Sequence, residues 1–342
     1  MAEYEPEQVW LPVSESILDW DKDFHNLLLN DHIRMVAFKA AIDETVKPGM
    51  VVLDLGTGTG ILAQWALQAG AVRVYGIDLD ETILATAVER IAAAGCGDRF
   101  HAIHSLSFEA EIPERVDVIV SEIMGNLADN EDFIRILMDA RRRFLNDGGS
   151  MLPDRVASYL VPVAAKKAHD QVKGGEYCGG KNSRSLDDAL RRRGVESRFD
   201  CYYDVILPKS TYLAAPRMTR LYNLGSDNTA TYRVSRTYPV GRGGIFTGFK
   251  GYFIARLSQT VTLDISGDSI NDRTTSDSWK HCYLPIEEPV EVRQHDRIKL
   301  VFSRTYPHHR EELFRQRYRW EGQVMRGSTA IACFGQDTGG YS

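Results

Sequence analysis

At 342 residues the chain is long enough for one large or two moderate domains, each with its own core, and its 43% hydrophobic and 26% charged composition is that of an ordinary globular protein. No apolar run approaches the roughly 20 residues of a bilayer span, and the N-terminal MAEYEPEQVW lacks the basic and apolar regions of a signal peptide, so the expectation is a cytoplasmic protein without a membrane partner. The formal net charge of −6 argues against nucleic acid, and the five cysteines (Cys96, Cys178, Cys201, Cys282, Cys333) are scattered and never spaced CxxC, which argues against disulfides or a metal site.

In chain order, residues 1–48 form an N-terminal segment, acidic and proline-containing at first. From His25 to about Val46, the apolar residues Leu29, Ile33, Val36 and Ala40 recur at helical spacing, and Asp31 and Arg34, three apart, read as a surface ion pair on that helix. Next comes VVLDLGTGTG, residues 51–60: an apolar run ending on Asp54, then Gly56, Gly58 and Gly60, then a helix from Ile61. This order is strand, glycine turn, helix, with backbone N–H groups facing a ligand. Such a turn also serves as a plain tight connection.

Further strands are expected at 73–77, near 100–105 and at 116–120, with helices at 61–69, 81–94 and about 130–145. The alternation predicts a mostly parallel sheet over residues 49–155, with ligands outside the carboxyl ends of its strands, where Asp54, Asp78 and Glu122 fall. After Pro153 the pattern turns strand-like, and PVEV–RQHD–RIKLVFS reads as a hairpin within an antiparallel β domain over 156–335. Residues 166–200, with GG pairs, KNSRS and a helical-looking LDDALRRR, read as an inserted loop or arm, and GQDTGGYS as a frayed tail.

The glycines depart from the dinucleotide pattern GxGxxG, since Ile61 stands where its third glycine would be. Asp78, about 20 residues beyond the turn, is nevertheless placed to accept ribose hydroxyls. A nucleoside-containing ligand follows, with nicotinamide disfavoured. Glu131, among Asp129, Asn130 and Asp132, reads from pattern alone as a possible helix cap, and Arg141 to Arg143 as complements to the same helix's C-terminus.

VVLDLGTGTGILA, VYGIDLD and VDVIVSEIMGN together resemble the class I S-adenosylmethionine-dependent methyltransferases, and SEIMGNLADNE resembles the hallmark segment of the protein arginine methyltransferase family. The resemblance extends through MLPDR to WEGQV. It implies a Rossmann-like methyltransferase domain followed by an antiparallel β-barrel, S-adenosyl-L-methionine as cofactor, and a homodimer formed through the 166–200 arm. It also implies that Arg34 pairs with the cofactor carboxylate, that Asp54 and the three glycines shape the methionine and ribose pocket, and that Asp78 binds the ribose. Glu122 and Glu131 match the family's substrate-loop glutamates, as carboxylates suited to a planar, permanently charged guanidinium. No adenine role is assigned, because Phe108 stands where the family has an acid.

Two departures bear on the acceptor. Trp20 and Phe24 replace a tyrosine pair, and the threonine–histidine–tryptophan motif appears as Asp277-Ser278-Trp279-Lys280, with Ser278 where a histidine would meet Asp31. The altered rim leans toward free L-arginine or a small arginine-containing metabolite. Arginine side chains of polypeptides are the alternative, and a catalytically silent cofactor-binding scaffold is a competing class.

Overall fold

The computed structural model describes residues 5–10, 27–175, 177–178, 197–306 and 316–339. Trp20, Phe24 and LDDALRRR lie outside the described residues, as does most of the proposed dimerisation arm.

The first layer is a five-stranded sheet of order β4-β3-β2-β5-β6, comprising β2 (Val51–Leu55), β3 (Arg73–Asp78), β4 (Phe100–His104), β5 (Val116–Ser121) and β6 (Leu145–Leu152). Its pairings are all parallel. Runs such as Val51-Val52-Leu53 suit strands covered on both faces. The covering helices include α1 (His32–Thr45), α2 (Ile61–Gln68), α3 (Glu81–Ala93) and α4 (Phe133–Phe144). Asp80 caps α3 by accepting from the N–H groups of Thr82 and Ile83 at 2.8 and 3.2 Å.

The helix expected from His25 is interrupted. Residues 27–30 are helical, Asp31 is not, and α1 begins afresh with Asp31 as its N-cap. The buried face of α1 is Phe38, Ala41 and Ile42, whereas Val36 is 53% exposed. The expected apolar stripe was therefore misplaced, because Phe38 has the greater apolar surface to bury. A two-residue strand, β1 (Val9–Trp10), lies in the acidic N-terminal segment and pairs with Val205 and Asp204.

Beyond MLPDR the chain is antiparallel. Asp154 sits at the junction, its carboxylate paired with Arg256 and its carbonyl accepting from the Leu224 N–H at 2.9 Å. One sheet has the order β1-β8-β13-β11-β7-β9 with β12 alongside β11. It is built from β7 (Arg155–Val163), β8 (Tyr203–Val205), β9 (Arg217–Asn223), β11 (Gly244–Arg256), β12 (Thr262–Asp264) and β13 (His281–Val292). The second sheet is β10 (Tyr232–Pro239), β14 (Arg297–Thr305), β15 (Arg317–Arg326) and β16 (Thr329–Asp337), in the order β10-β14-β15-β16. Phe246, Phe249 and Phe334 pack edge-on or tilted between the two sheets, with centroids 5.2–5.9 Å apart. The fold is thus a Rossmann-like domain followed by a β-barrel.

Two further expectations are corrected. PVEV and RIKLVFS do not pair as a hairpin among the described residues: β13 bonds to β11 and β8, while β14 bonds to β10 and β15. RQHD is instead a corner between the sheets. His295 takes a left-handed φ of 73°, the Asp296 carboxylate accepts from the Arg293 N–H at 2.9 Å, and the corner is tied to Val240. The start of the supposed arm is also packed rather than projecting. α5 (Lys166–Gly174) buries Ala168, His169 and Val172, and the His169 ring lies 5.2 Å from that of Phe199. No helix among the described residues is long and apolar enough to cross a membrane. No disulfide joins the five cysteines among the described residues.

Phe249 is fully buried between the sheets. Phe249→Ala should cost about 3–5 kcal/mol of unfolding free energy, measured as a fall in the urea midpoint at unchanged slope.

Candidate functional site

Because β2 lies between β3 and β5, three carboxyl ends meet: the glycine turn after β2, Asp78 ending β3, and Glu122 after β5. That is the reversal point of an open parallel sheet, where a crevice forms. A cleft opens there, lined by Arg34, Met35, Phe38, Gly56, Thr57, Gly58, Thr59, Asp78, Glu122, Glu131, Ser278 and Trp279, among others.

Asp54 and Gly60 stand behind this wall rather than in it. Asp54 is fully buried, and its Oδ2 accepts from the Thr57 hydroxyl at 2.6 Å and the Ala63 N–H at 3.0 Å, tying the turn to the first residues of α2. Burial pushes its carboxyl up to about 7, the two hydrogen bonds oppose the rise, and the nearby Asp78 adds to it. Gly60 has φ 76°, and a Cβ there would lie 2.7 Å from the Ala87 Cβ, so it lets α3 approach the turn.

Gly56 and Gly58 face the cleft. A Cβ on Gly56, at φ 74°, would meet the Ile123 side chain at 2.9 Å, so glycine lets the turn pack against Ile123 at the cleft wall. Asp78 spans the turn, its Oδ2 accepting from the Gly58 N–H at 2.7 Å and its Oδ1 from the Asp80 N–H at 3.0 Å. A backbone cradle with a carboxylate at its edge, beside apolar Met35, Phe38, Ile61 and Leu62, fits a nucleoside with an amino-acid tail.

The opposite wall carries a largely buried ion pair. The Arg34 guanidinium pairs with Glu122 Oε2 and lies 5.0 Å from the centroid of the Trp279 ring. Burial pushes Arg34 down to about 10, against the pull of Asp31 and Glu131. Arg34 and Asp31 are therefore not a surface pair. Asp31 is buried, accepting from Ser278 Oγ at 2.7 Å, from the Ser278 N–H at 3.1 Å and from Ser276 Oγ. Ser278 thus makes a bond to Asp31 even though it is not histidine, and the Trp279 indole donates to the Met124 carbonyl at 2.5 Å.

Glu131 ends the single turn Asp129–Glu131, bracketed by left-handed backbone at Ala128 (φ 72°) and Asp132 (φ 57°). Each such residue costs on the order of 1–3 kcal/mol unless its surroundings compensate. The capping reading of its neighbours does not hold: Asp132 makes no side-chain cap to α4, and Asp129 and Asp132 turn into the barrel. Arg143 also does more than complement the helix end, donating to the carbonyls of Ser107 and Phe108 at 3.0 Å each.

Two cleft residues escaped the sequence reading. Asn126 donates to Asp204 Oδ1 at 2.7 Å, bringing a carboxylate from β8 to the cleft. Its signal was an acid isolated within the apolar run CYYDVILP. Among the described residues no cluster of metal-ligating side chains occurs.

Comparison with known proteins bears on this geometry. Residues 37–153 match the family described as ribosomal protein L11 methyltransferase (PrmA), and residues 155–320 the one described as the PRMT5 oligomerisation domain. A probable protein arginine N-methyltransferase 6 of Arabidopsis thaliana is 37% identical over 142 residues, 41% of this chain and 32% of that protein. Protein arginine N-methyltransferase 2 of Xenopus tropicalis is 27% identical over 294 residues, 82% of this chain and 66% of that protein. The chain spans about a third of the length of the plant relatives it matches.

Among solved structures, Arabidopsis thaliana protein arginine methyltransferase 10 superposes with a TM-score of 0.76 at 19% identity, over 92% of this chain and 97% of that one. A chain of the Trypanosoma brucei PRMT1 enzyme–prozyme heterotetrameric complex with AdoHcy superposes at 0.77 and 19%, over 95% and 98%. The fold is the one these methyltransferase structures share, a Rossmann-like domain followed by a β-barrel. Over most of its length the chain is similar to protein arginine N-methyltransferases.

Asp54 gives this site a pH signature. With a folded value near 7 against about 3.9 unfolded, the folded state binds the extra proton between those values, so this group's contribution to stability falls as pH rises from about 4 to 7. Asp54→Asn should flatten that trend, and melting temperatures of the two proteins compared from pH 5 to 8 will check it.

Proposed function

We propose that this protein transfers a methyl group from S-adenosyl-L-methionine to a guanidino nitrogen of arginine. The observation that carries the reading is that Glu122 and Glu131 line the same cleft as the glycine turn, with a guanidinium, that of Arg34, already paired to Glu122. S-adenosyl-L-methionine supplies a sulfonium-bound methyl group that a nucleophile takes by displacement.

The residues then divide the work. Asp78 receives the ribose hydroxyls, the backbone of Gly56 and Gly58 lies along the tail, and Arg34 holds its carboxylate. Glu122 and Glu131 hold the acceptor guanidinium through paired N–H bonds and aim one nitrogen. Their charges repel unless a cation lies near both; Arg34 already serves as one, and the acceptor guanidinium adds a second. As the new N–C bond forms, that nitrogen loses a proton to a carboxylate oxygen of the pair or to water beyond it. Holding two reactants at near-attack distance supplies on the order of 7–11 kcal/mol, so positioning outweighs proton transfer.

The names of the relatives favour an arginine side chain within a polypeptide. Free L-arginine is the second reading, favoured by the rim substitutions, although Ser278 keeps a bond to Asp31 and so preserves the contact across the rim. Methyl transfer to free arginine, to arginine peptides and to a lysate, read by product mass spectrometry, separates these.

Glu122→Gln should abolish turnover while calorimetry finds cofactor affinity nearly intact, and retained turnover would remove the two-carboxylate mechanism. Asp78→Ala should weaken cofactor binding at least tenfold by calorimetry, and unchanged affinity would contradict its ribose role.

A further inference from the structure

The turn that carries Glu131 is held from the barrel. Arg304, on β14, is fully buried, and its five N–H donors all meet oxygens. Nε reaches the Tyr318 hydroxyl at 3.3 Å, and Nη1 the Ala230 carbonyl and the Tyr306 hydroxyl at 2.6 and 3.0 Å. Nη2 reaches the Asp129 carbonyl at 3.1 Å and Asp132 Oδ1 at 2.7 Å. Asp129 is equally buried and takes three phenol hydroxyls, from Tyr222, Tyr232 and Tyr318, at 2.5, 2.9 and 2.6 Å. The Gln316 amide adds a bond to the Asn130 carbonyl at 2.8 Å.

These contacts grip Asp129, Asn130 and Asp132, the residues on either side of Glu131. Within the loop, Asn130 Oδ1 accepts from the Leu127 N–H at 3.0 Å, and a Cβ on Gly125 would lie 2.2 Å from that oxygen. The left-handed backbone at Ala128 and Asp132 is one that residues with a Cβ rarely adopt, so the loop needs outside bonds to keep it. The barrel supplies them.

We propose that Arg304, with the carboxylates of Asp129 and Asp132 and the hydroxyls of Tyr222, Tyr232 and Tyr318, is a positioning device that sets Glu131 in the cleft. The acceptor side of the pocket is then complete only when the barrel is docked on the Rossmann-like domain. The kinetic consequence, though not the positioning itself, rests on the role given to Glu131 above. Lysine cannot replace Arg304, because a point charge with three donors does not reproduce the planar fork of five.

The test compares Arg304→Met, Arg304→Lys and Tyr318→Phe with Trp320→Phe, a barrel-core control whose indole donates to the Pro285 carbonyl. Amide hydrogen exchange of residues 125–132, measured without substrate, should quicken at least tenfold in both Arg304 variants and less in Tyr318→Phe. Residues 51–60 should stay protected, and Trp320→Phe should leave 125–132 slow. In methyl-transfer assays on an arginine peptide, the Arg304 variants should lose kcat at least tenfold, with KM for S-adenosyl-L-methionine within threefold of wild type.

Exchange of 125–132 that is unchanged, or that quickens equally across the Rossmann-like domain, overturns the proposal. If the Arg304 variants fail to fold, Tyr318→Phe against Trp320→Phe makes the same comparison. Selective quickening in a protein that methylates no guanidino group upholds the positioning and overturns the function given to Glu131.

Discussion

The parallel pairing of β2 with β5, in which Leu55 lies opposite Ser121, is the constraint on which the site depends. It brings the glycine turn and Glu122 to the same edge of the sheet although 60-odd residues separate them in the chain. The Ser121 hydroxyl locks the register by donating to the Leu55 carbonyl at 2.6 Å. A slip of one residue would move Asp54 to the opposite face of the sheet and offset the glycine turn from Glu122.

Around that edge the cleft is closed by polar bonds between domains rather than by apolar packing alone. Ser276 and Ser278 reach Asp31, Trp279 reaches the Met124 carbonyl, and Arg304 reaches the Glu131 turn. Buried carboxylates and guanidinium groups are costly to desolvate and are tolerated only when their hydrogen bonds are met. In return such bonds are directional, and the proposed transfer, which aims one nitrogen at one methyl group, needs direction more than bulk cohesion.

The electrostatics of the cleft follow the same division. Asp54 sits behind the turn with its carboxyl raised by burial, while Arg34 is lowered by burial yet keeps carboxylates on several sides. Buried Lys250, pushed down to about 7 by desolvation, is spent on the barrel: its ammonium donates to the carbonyls of Leu207 and Ser266 at 2.9 and 3.1 Å and lies well inside the sheet. Strongly shifted groups thus mark the scaffold here as much as the chemistry.

The local pattern was legible where short-range physics decides it. Strand, glycine turn and helix over 51–68, Asp78 at a strand end, and the parallel alternation to residue 152 all follow from apolar periodicity and glycine placement. Glu122 and Glu131 were found through their resemblance to a known segment. The tertiary structure alone decided which face of α1 is buried, that RQHD turns a corner between sheets instead of closing a hairpin, and that Asp129 and Asp132 bind Arg304 instead of capping a helix. These outcomes turn on partners outside any local window, Val240 for the corner and Arg304 for Asp132. Arg304 and Asp129 are 175 positions apart, and no local preference records that a buried guanidinium waits for that backbone carbonyl.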